Sequence, residues 1–92
     1  MSKVILQGFI IVPKSDLELV RHELVIHKKL TLQESGCLIF SVKVDDVDEQ
    51  KFFVYEEFVD QAAFDHHQSR SRLSQWAEIT KNVTRHYNII RG

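Results

Sequence analysis

The segment 52–76 changes its hydrophobic period partway along, and this change constrains the fold more than any other feature of the chain. The residues up to position 58 alternate between two faces, which is typical of a β-strand. Asp60 then begins a run of helical character that carries an adjacent histidine pair, His66 and His67. A strand that passes directly into a helix with titratable side chains brings together the polar and apolar groups of a ligand pocket.

The rest of the chain extends this pattern to four strands and at least two helices. Residues 4–12 are apolar on both faces, which predicts a strand that is covered on both sides. The other elements follow from periodicity, capping residues and glycine positions. They are a helix from Ser15 or Asp16 to about residue 34, strands at 38–44 and 51–59, helices at 60–68 and 71–81, and a strand at 83–90.

The element order β-α-β-β-α-(α)-β predicts an α+β ferredoxin-like sandwich, with one domain spanning residues 1–92. Helices then cover one face of the four-stranded sheet and leave apolar side chains on the other face. An exposed apolar face of that size is typical of an association surface. We therefore expect a homodimer that pairs through its sheet faces.

Charge and composition exclude several classes of protein. The 92 residues carry a formal net charge of -1, and their basic residues are scattered, which argues against nucleic acid as a partner. Cys37 is the only cysteine, so no intrachain disulfide can form, and a buried inert thiol is expected. The sequence shows no secretory leader pattern and no apolar run of about 20 residues, so we expect a cytoplasmic protein without a membrane partner.

Three short motifs carry a family resemblance. They are ESGCL at 34–38, FVYEEFVD at 53–60 and AFDHH at 63–67. In this order and spacing they resemble the antibiotic biosynthesis monooxygenase domain, a family of small dimeric α/β barrels. The resemblance implies a quinol-monooxygenase-like protein whose partner is a small aromatic or quinone-like molecule and which needs no cofactor.

The resemblance also implies that His67 is the catalytic residue. Oxygenases without a cofactor must deprotonate a phenol or enol, because the resulting anion can pass an electron to dioxygen. An imidazole suits that step at neutral pH. The family often has a second histidine five residues later, where this chain has Arg72, which could orient an anionic substrate or stabilise an oxyanion. His66 lies about 100° from His67 on the helix and is expected to face solvent.

Five further residues are candidates for the pocket, each with a structural alternative. His27 lies on the apolar side of the first long helix, and Glu56 lies on an apolar strand face, where a carboxylate needs a partner. Glu56 could therefore be structural or could orient His67. Aromatic side chains at helical spacing usually pack in the core, but some can line a cavity. The pocket candidates are His27, Glu56, Phe64, Arg72 and Trp76. No metal site is expected, because the adjacent histidines lack the i,i+3 or i,i+4 spacing of helical ligands.

Two functions remain open, and a third is less favoured. The first is a cofactor-independent monooxygenase with His67 as its general base. The second is a non-catalytic module for small-ligand binding or dimerisation on the same fold, which the missing second histidine favours. The third is haem degradation, for which Asn82 and Asn88 are poorly suited as the asparagine over the macrocycle.

Overall fold

The computed structural model describes residues 2–92 as a four-stranded sheet with helices packed on one face. The strands are β1 (Val4–Ile11), β2 (Cys37–Val44), β3 (Lys51–Phe58) and β4 (Thr84–Arg91). The helices are α1 (Leu17–Leu32), α2 (Gln61–Arg72) and α3 (Gln75–Ile79), and a 3-10 turn at Lys14–Asp16 precedes α1. None of these helices is long and apolar enough to cross a membrane.

The sheet has the strand order β2-β3-β1-β4, and all neighbouring strands are antiparallel. The hairpin β2–β3 forms from consecutive strands, and the helical connections place β1 in the interior of the sheet. This topology confirms the predicted α+β ferredoxin-like fold. Pairing of two such sheets into a dimeric barrel stays a prediction.

The core lies between the helices and the inner face of the sheet. Its side chains come mainly from the two interior strands, β1 and β3, and from α1 and α2, and burial of these apolar groups stabilises the fold. The buried cluster consists of Val4, Leu6, Ile10, Val12, Leu17, Val20, Phe52, Val54, Phe58, Phe64 and Val83.

Helix α1 buries a narrower stripe than its sequence predicts. The apolar residues Leu19, Ile26 and Leu30 are 52%, 43% and 43% exposed, although they form a second apolar arc. The buried stripe instead includes the polar residues Glu23 and His27. A single sheet can cover only one side of a helix, so the second arc stays outside the core.

A β-bulge near the start of β2 changes which side chains face inward. Cys37 pairs with Phe58 and Ile39 pairs with Glu57, so Leu38 is an extra residue between them. The alternation pattern predicted that Leu38 would share the inner face with the buried Phe40, but Leu38 is 48% exposed. The bulge shifts the register by one position, which periodicity alone could not predict.

Helix α2 begins where predicted but ends later. The Asp60 carboxylate accepts a hydrogen bond from the Ala63 backbone N–H at 2.8 Å, which is a typical N-cap. The helix continues to Arg72 instead of ending near residue 68, because no glycine or proline interrupts it. The last helix is correspondingly short and covers only Gln75–Ile79.

Gly8 is required by the close approach of β4 to β1. Its φ of 153° is a conformation that side chains rarely adopt, and a Cβ there would lie 1.9 Å from the His86 carbonyl oxygen. The glycine therefore lets the edge strand β4 lie close against β1.

Candidate functional site

His67 is held inside the protein by a carboxylate. The residue is 2% exposed, and its Nδ1 lies 3.2 Å from Oε2 of Glu34, which follows the end of α1. The Nε atom of Arg70 donates to the same oxygen at 2.5 Å, and the Nη2 atom donates to Oγ1 of Thr31 at 3.0 Å. These hydrogen bonds therefore connect Thr31 and Glu34, at the end of α1, to His67 and Arg70 on α2.

These contacts fix which nitrogen of His67 carries hydrogen. Arg70 can only donate, so the Glu34 oxygen between the two side chains acts as an acceptor. Nδ1 of His67 must then donate to it. Burial lowers the pKa of His67, and this effect outweighs the opposing effect of Glu34, so the ring is neutral at pH 7. A neutral ring with hydrogen on Nδ1 has its free lone pair on Nε2.

The other side of the His67 ring faces two groups that could exchange protons with it. Nε2 lies 3.5 Å from Oε1 of Glu56 and 3.5 Å from Oγ of Ser71. Both distances are too long for strong hydrogen bonds, so the lone pair remains available. Burial, and then the nearby charge of Glu34, raise the pKa of Glu56 to about 7. Near neutral pH this carboxyl group can therefore either hold or accept a proton.

Nε2 and Glu56 border a cleft of about 400 Å³, which is large enough for a small aromatic molecule. The cleft lies between the sheet, α1, α2 and α3, and one side opens to solvent. Its walls combine apolar, acidic and basic side chains. The lining residues include Leu6, His27, Glu56, His67, Ser71, Arg72, Trp76, Thr80, Lys81, Arg85 and Tyr87.

His27 and Trp76 form one wall of this cleft. Their rings stack with centroids 4.6 Å apart and planes inclined by 10°. Burial, followed by the neighbouring His67 and Arg70, lowers the pKa of His27 to about 3, so this ring is neutral at pH 7. Nδ1 of His27, Oε1 of Glu34 and Oε1 of Glu56 are buried and have no hydrogen-bond partner among residues 2–92.

The structure places five of the six site residues predicted from sequence around this one cleft. They are His27, Glu56, His67, Arg72 and Trp76. The sixth, Phe64, lies in the core instead, where its ring packs edge-on against Phe58 at 5.5 Å. His66 is exposed, as its separation from His67 on the helix predicts.

Glu34 and Arg70 belong to the site but were not predicted from the sequence. Arg70 lies one helical turn after His67, so a shared helix face was a usable signal. Glu34 belongs to the ESGCL motif, but only the folded chain shows that this motif reaches α2. Among residues 2–92, no three His, Cys, Asp or Glu side chains are grouped as metal ligands, and the absence of a metal from the function stays a prediction.

The raised pKa of Glu56 predicts a pH-dependent loss of stability. Its pKa is about 7 in the folded state, compared with 4.5 for a glutamate side chain in an unfolded chain. The folded state therefore binds more protons between these values, and stability falls as pH rises from about 4.5 to 7. We expect Glu56→Gln, which cannot ionise, to remove this effect. The variant should gain on the order of 3 kcal/mol relative to wild type between pH 5 and pH 8.

Urea unfolding of both proteins at pH 5 and pH 8 measures this difference. Asp65→Gln, at an exposed position of α2, is the control and should show no such gain. If the stability difference between Glu56→Gln and wild type is the same at both pH values, the raised pKa of Glu56 is contradicted.

Comparison with known proteins relates this architecture to a family. The family profile described as antibiotic biosynthesis monooxygenase matches residues 4–79. No curated protein matches the chain significantly. Solved structures do match it. Their sequence identity to this chain is low, but they share its fold over nearly the whole chain.

Three of these structures illustrate the similarity. A conserved Bacteroides thetaiotaomicron protein, described as a possible oxidoreductase, is 15% identical with a TM-score of 0.85, and the alignment covers 99% of this chain and 98% of that one. A candidate antibiotic biosynthesis monooxygenase from Nitrosomonas europaea is 13% identical with a TM-score of 0.80, covering 99% and 88%. A candidate of the same description from Deinococcus radiodurans is 26% identical with a TM-score of 0.78, covering 97% and 89%. The family profile matches most of the length of this chain, which shows that the chain belongs to the antibiotic biosynthesis monooxygenase family.

Proposed function

We propose that the protein is a cofactor-independent monooxygenase of a small aromatic or quinol substrate, with His67 as its general base. Family membership supports a monooxygenase at a general level. The observation that carries the specific proposal is the fixed orientation of His67. Its Nδ1 is bound to Glu34 and its Nε2 borders the cleft, so the basic nitrogen faces the space where a substrate would bind.

The proposed reaction begins with proton transfer from a phenolic hydroxyl group to Nε2 of His67. The resulting phenolate is electron-rich at its ring carbons and can give one electron to dioxygen. The substrate radical and superoxide then combine to form a carbon–oxygen bond. The peroxide anion takes back the proton from Nε2 of His67. The O–O bond then breaks as the ring carbon that bears the peroxide loses its hydrogen as a proton, which leaves a carbonyl group. One oxygen atom enters the product, and the other leaves as hydroxide that is protonated to water.

Glu56 has a supporting part in this proposal. Loss of water from a peroxide requires a proton donor near the departing oxygen. Since the pKa of Glu56 is about 7 and its Oε1 lies 3.5 Å from Nε2 of His67, this carboxyl group can supply that proton. A general acid and base at one site act best when their pKa values are close to the working pH.

A non-catalytic ligand-binding module on the same fold is the second candidate. It is favoured by Arg72, which stands where the family resemblance leads us to expect a second histidine, and which is exposed at the end of α2. In this case the cleft would bind the same class of molecule without oxidising it. Oxygen uptake separates the two candidates.

Oxygen consumption with a panel of hydroquinones tests the role of His67. We expect His67→Gln to lower the rate by about 100-fold or more, because the variant keeps a polar side chain but loses the base. His66→Gln is the matched control, since it changes the neighbouring, exposed histidine and should keep the wild-type rate. Equal rates for wild type and His67→Gln would remove this residue from the mechanism, and wild-type protein that consumes no oxygen with any substrate would favour the binding module.

We also propose that two copies pair through the outer faces of their sheets. Ile39, Phe53 and Ile90 lie on this face and are 42%, 46% and 40% exposed in the single chain. Lys51 adds a cation–aromatic contact there, with its Nζ 4.4 Å from the centre of the Phe9 ring. Exposed apolar side chains on such a face are removed from water when a second copy covers them. A single domain over residues 1–92 and a cytoplasmic location remain predictions from the sequence.

Phe53→Glu tests this pairing, because it places a charge on the outer face of the sheet, within the proposed interface. We expect wild type to be a dimer at micromolar concentration and Phe53→Glu to be a folded monomer, as measured by light scattering after size-exclusion chromatography. The control is Leu73→Glu, at a position that is 87% exposed on the helical side. It should remain a dimer. A monomeric wild type, or a dimeric Phe53→Glu, would contradict pairing through the sheets.

A further inference from the structure

We infer that the substrate carries an anionic group and that Arg72 and Lys81 bind this group at the rim of the cleft. The inference rests on the proposed function only in placing the substrate in this cleft. It names the substrate more narrowly, as a hydroxylated aromatic acid. Four observations about the cleft support it.

Burial divides the cleft into a deep end and a rim. His67 and Glu56 at the deep end are 2% and 6% exposed. Arg72 and Lys81 line the same cleft but are exposed residues at the ends of α2 and beyond α3. The reactive groups therefore lie at the deep end of the cleft, and the two cations lie at its solvent-exposed rim.

The basic charge of the cleft is not balanced by acidic groups nearby. Among residues 2–92, Arg72 takes part in no salt bridge. Lys81 lies 3.3 Å from Glu78, but both side chains are largely exposed, and such pairs contribute little. Glu56 is the carboxyl group that lines the cleft, and with a pKa of about 7 it is only partly charged at neutral pH.

A third cation, Arg85, is held in place on β4. Its Nη2 donates to Oγ1 of Thr80 at 2.7 Å, and Thr80 is fully buried. Arg85 thus keeps a positive charge in the cleft wall at little entropic cost, because its guanidinium group is already positioned. The chain as a whole has a formal net charge of -1, so this concentration of positive charge is local.

The lining of the cleft suits a molecule with two different ends. In the inferred binding mode a hydroxyl group lies at Nε2 of His67, an aromatic ring contacts apolar lining residues such as Leu6 and Trp76, and a carboxylate reaches the rim. The volume of about 400 Å³ suits one or two rings. Arginine binds planar carboxylates with paired hydrogen bonds, whereas lysine acts as a point charge. Arg72 is therefore better suited than Lys81 to give specificity for a carboxylate.

Binding of a matched pair of compounds tests the inference. 2,5-Dihydroxybenzoate and 2,5-dihydroxybenzamide have the same hydroxyl pattern and nearly the same shape, but only the first is charged at pH 7. Calorimetric titration without oxygen measures their binding without turnover. We expect wild type to bind the acid about tenfold more tightly than the amide, and we expect added salt to reduce this preference.

The double variant Arg72→Gln/Lys81→Gln should lose the preference and bind both compounds with similar affinity. Lys28→Gln is the control, because it removes one exposed positive charge from α1 outside the cleft and should keep the preference. Thermal melting of each variant verifies that it is folded.

Three results would overturn the inference: equal binding of acid and amide by wild type, an unchanged preference in the double variant, or no binding of either compound at millimolar concentration. This binding test and the oxygen-consumption test of the proposed function can fail independently of each other. A protein that prefers the acid but consumes no oxygen would support the anion-binding site and contradict the oxygenase activity. A protein that consumes oxygen but binds acid and amide equally would support the activity and contradict the anion-binding site.

Discussion

The shared contact of the Glu34 carboxylate with Arg70 and His67 is the interaction on which the rest of the site depends. A carboxylate whose side chain is only 8% exposed is strongly disfavoured unless charged or hydrogen-bonded partners surround it. Arg70 provides the charge and Nδ1 of His67 provides a second hydrogen bond. The same contacts that make Glu34 tolerable inside the protein also leave Nε2 of His67 free on the side of the cleft.

This interaction explains why three separate sequence motifs occur together. Glu34 and Gly36 come from the first motif, and Ala63 and His67 come from the last. A Cβ on Gly36 would lie 2.3 Å from the Ala63 side chain, so the glycine lets α2 approach the start of β2 closely. That approach brings His67 within hydrogen-bond distance of Glu34, while the second motif supplies Glu56 on the other side of the ring.

The order of elements and most of the cleft could be predicted from the sequence because their signals are local. The alternation in β3, the Asp60 cap and the apolar faces of β1 each involve neighbouring residues. The bulge at Leu38 could not be predicted in this way, since it depends on how β2 pairs with β3. Phe64 and Trp76 illustrate the same limit, because both aromatic residues fit a core or a pocket, and only packing separates them. The pairing of Glu34 with Arg70 joins residues far apart in the chain and likewise required the fold.

The tautomer of His67 tests the central claim most directly. Nitrogen-15 NMR of the imidazole rings at pH 7 distinguishes a protonated from an unprotonated ring nitrogen. We expect hydrogen on Nδ1 of His67 and an unprotonated Nε2 in the wild-type protein, with the His67 signals assigned by their absence from the spectra of His67→Gln. A neutral ring with hydrogen on Nε2 would contradict the claim, because Glu34 would then not orient the ring and no basic nitrogen would face the cleft.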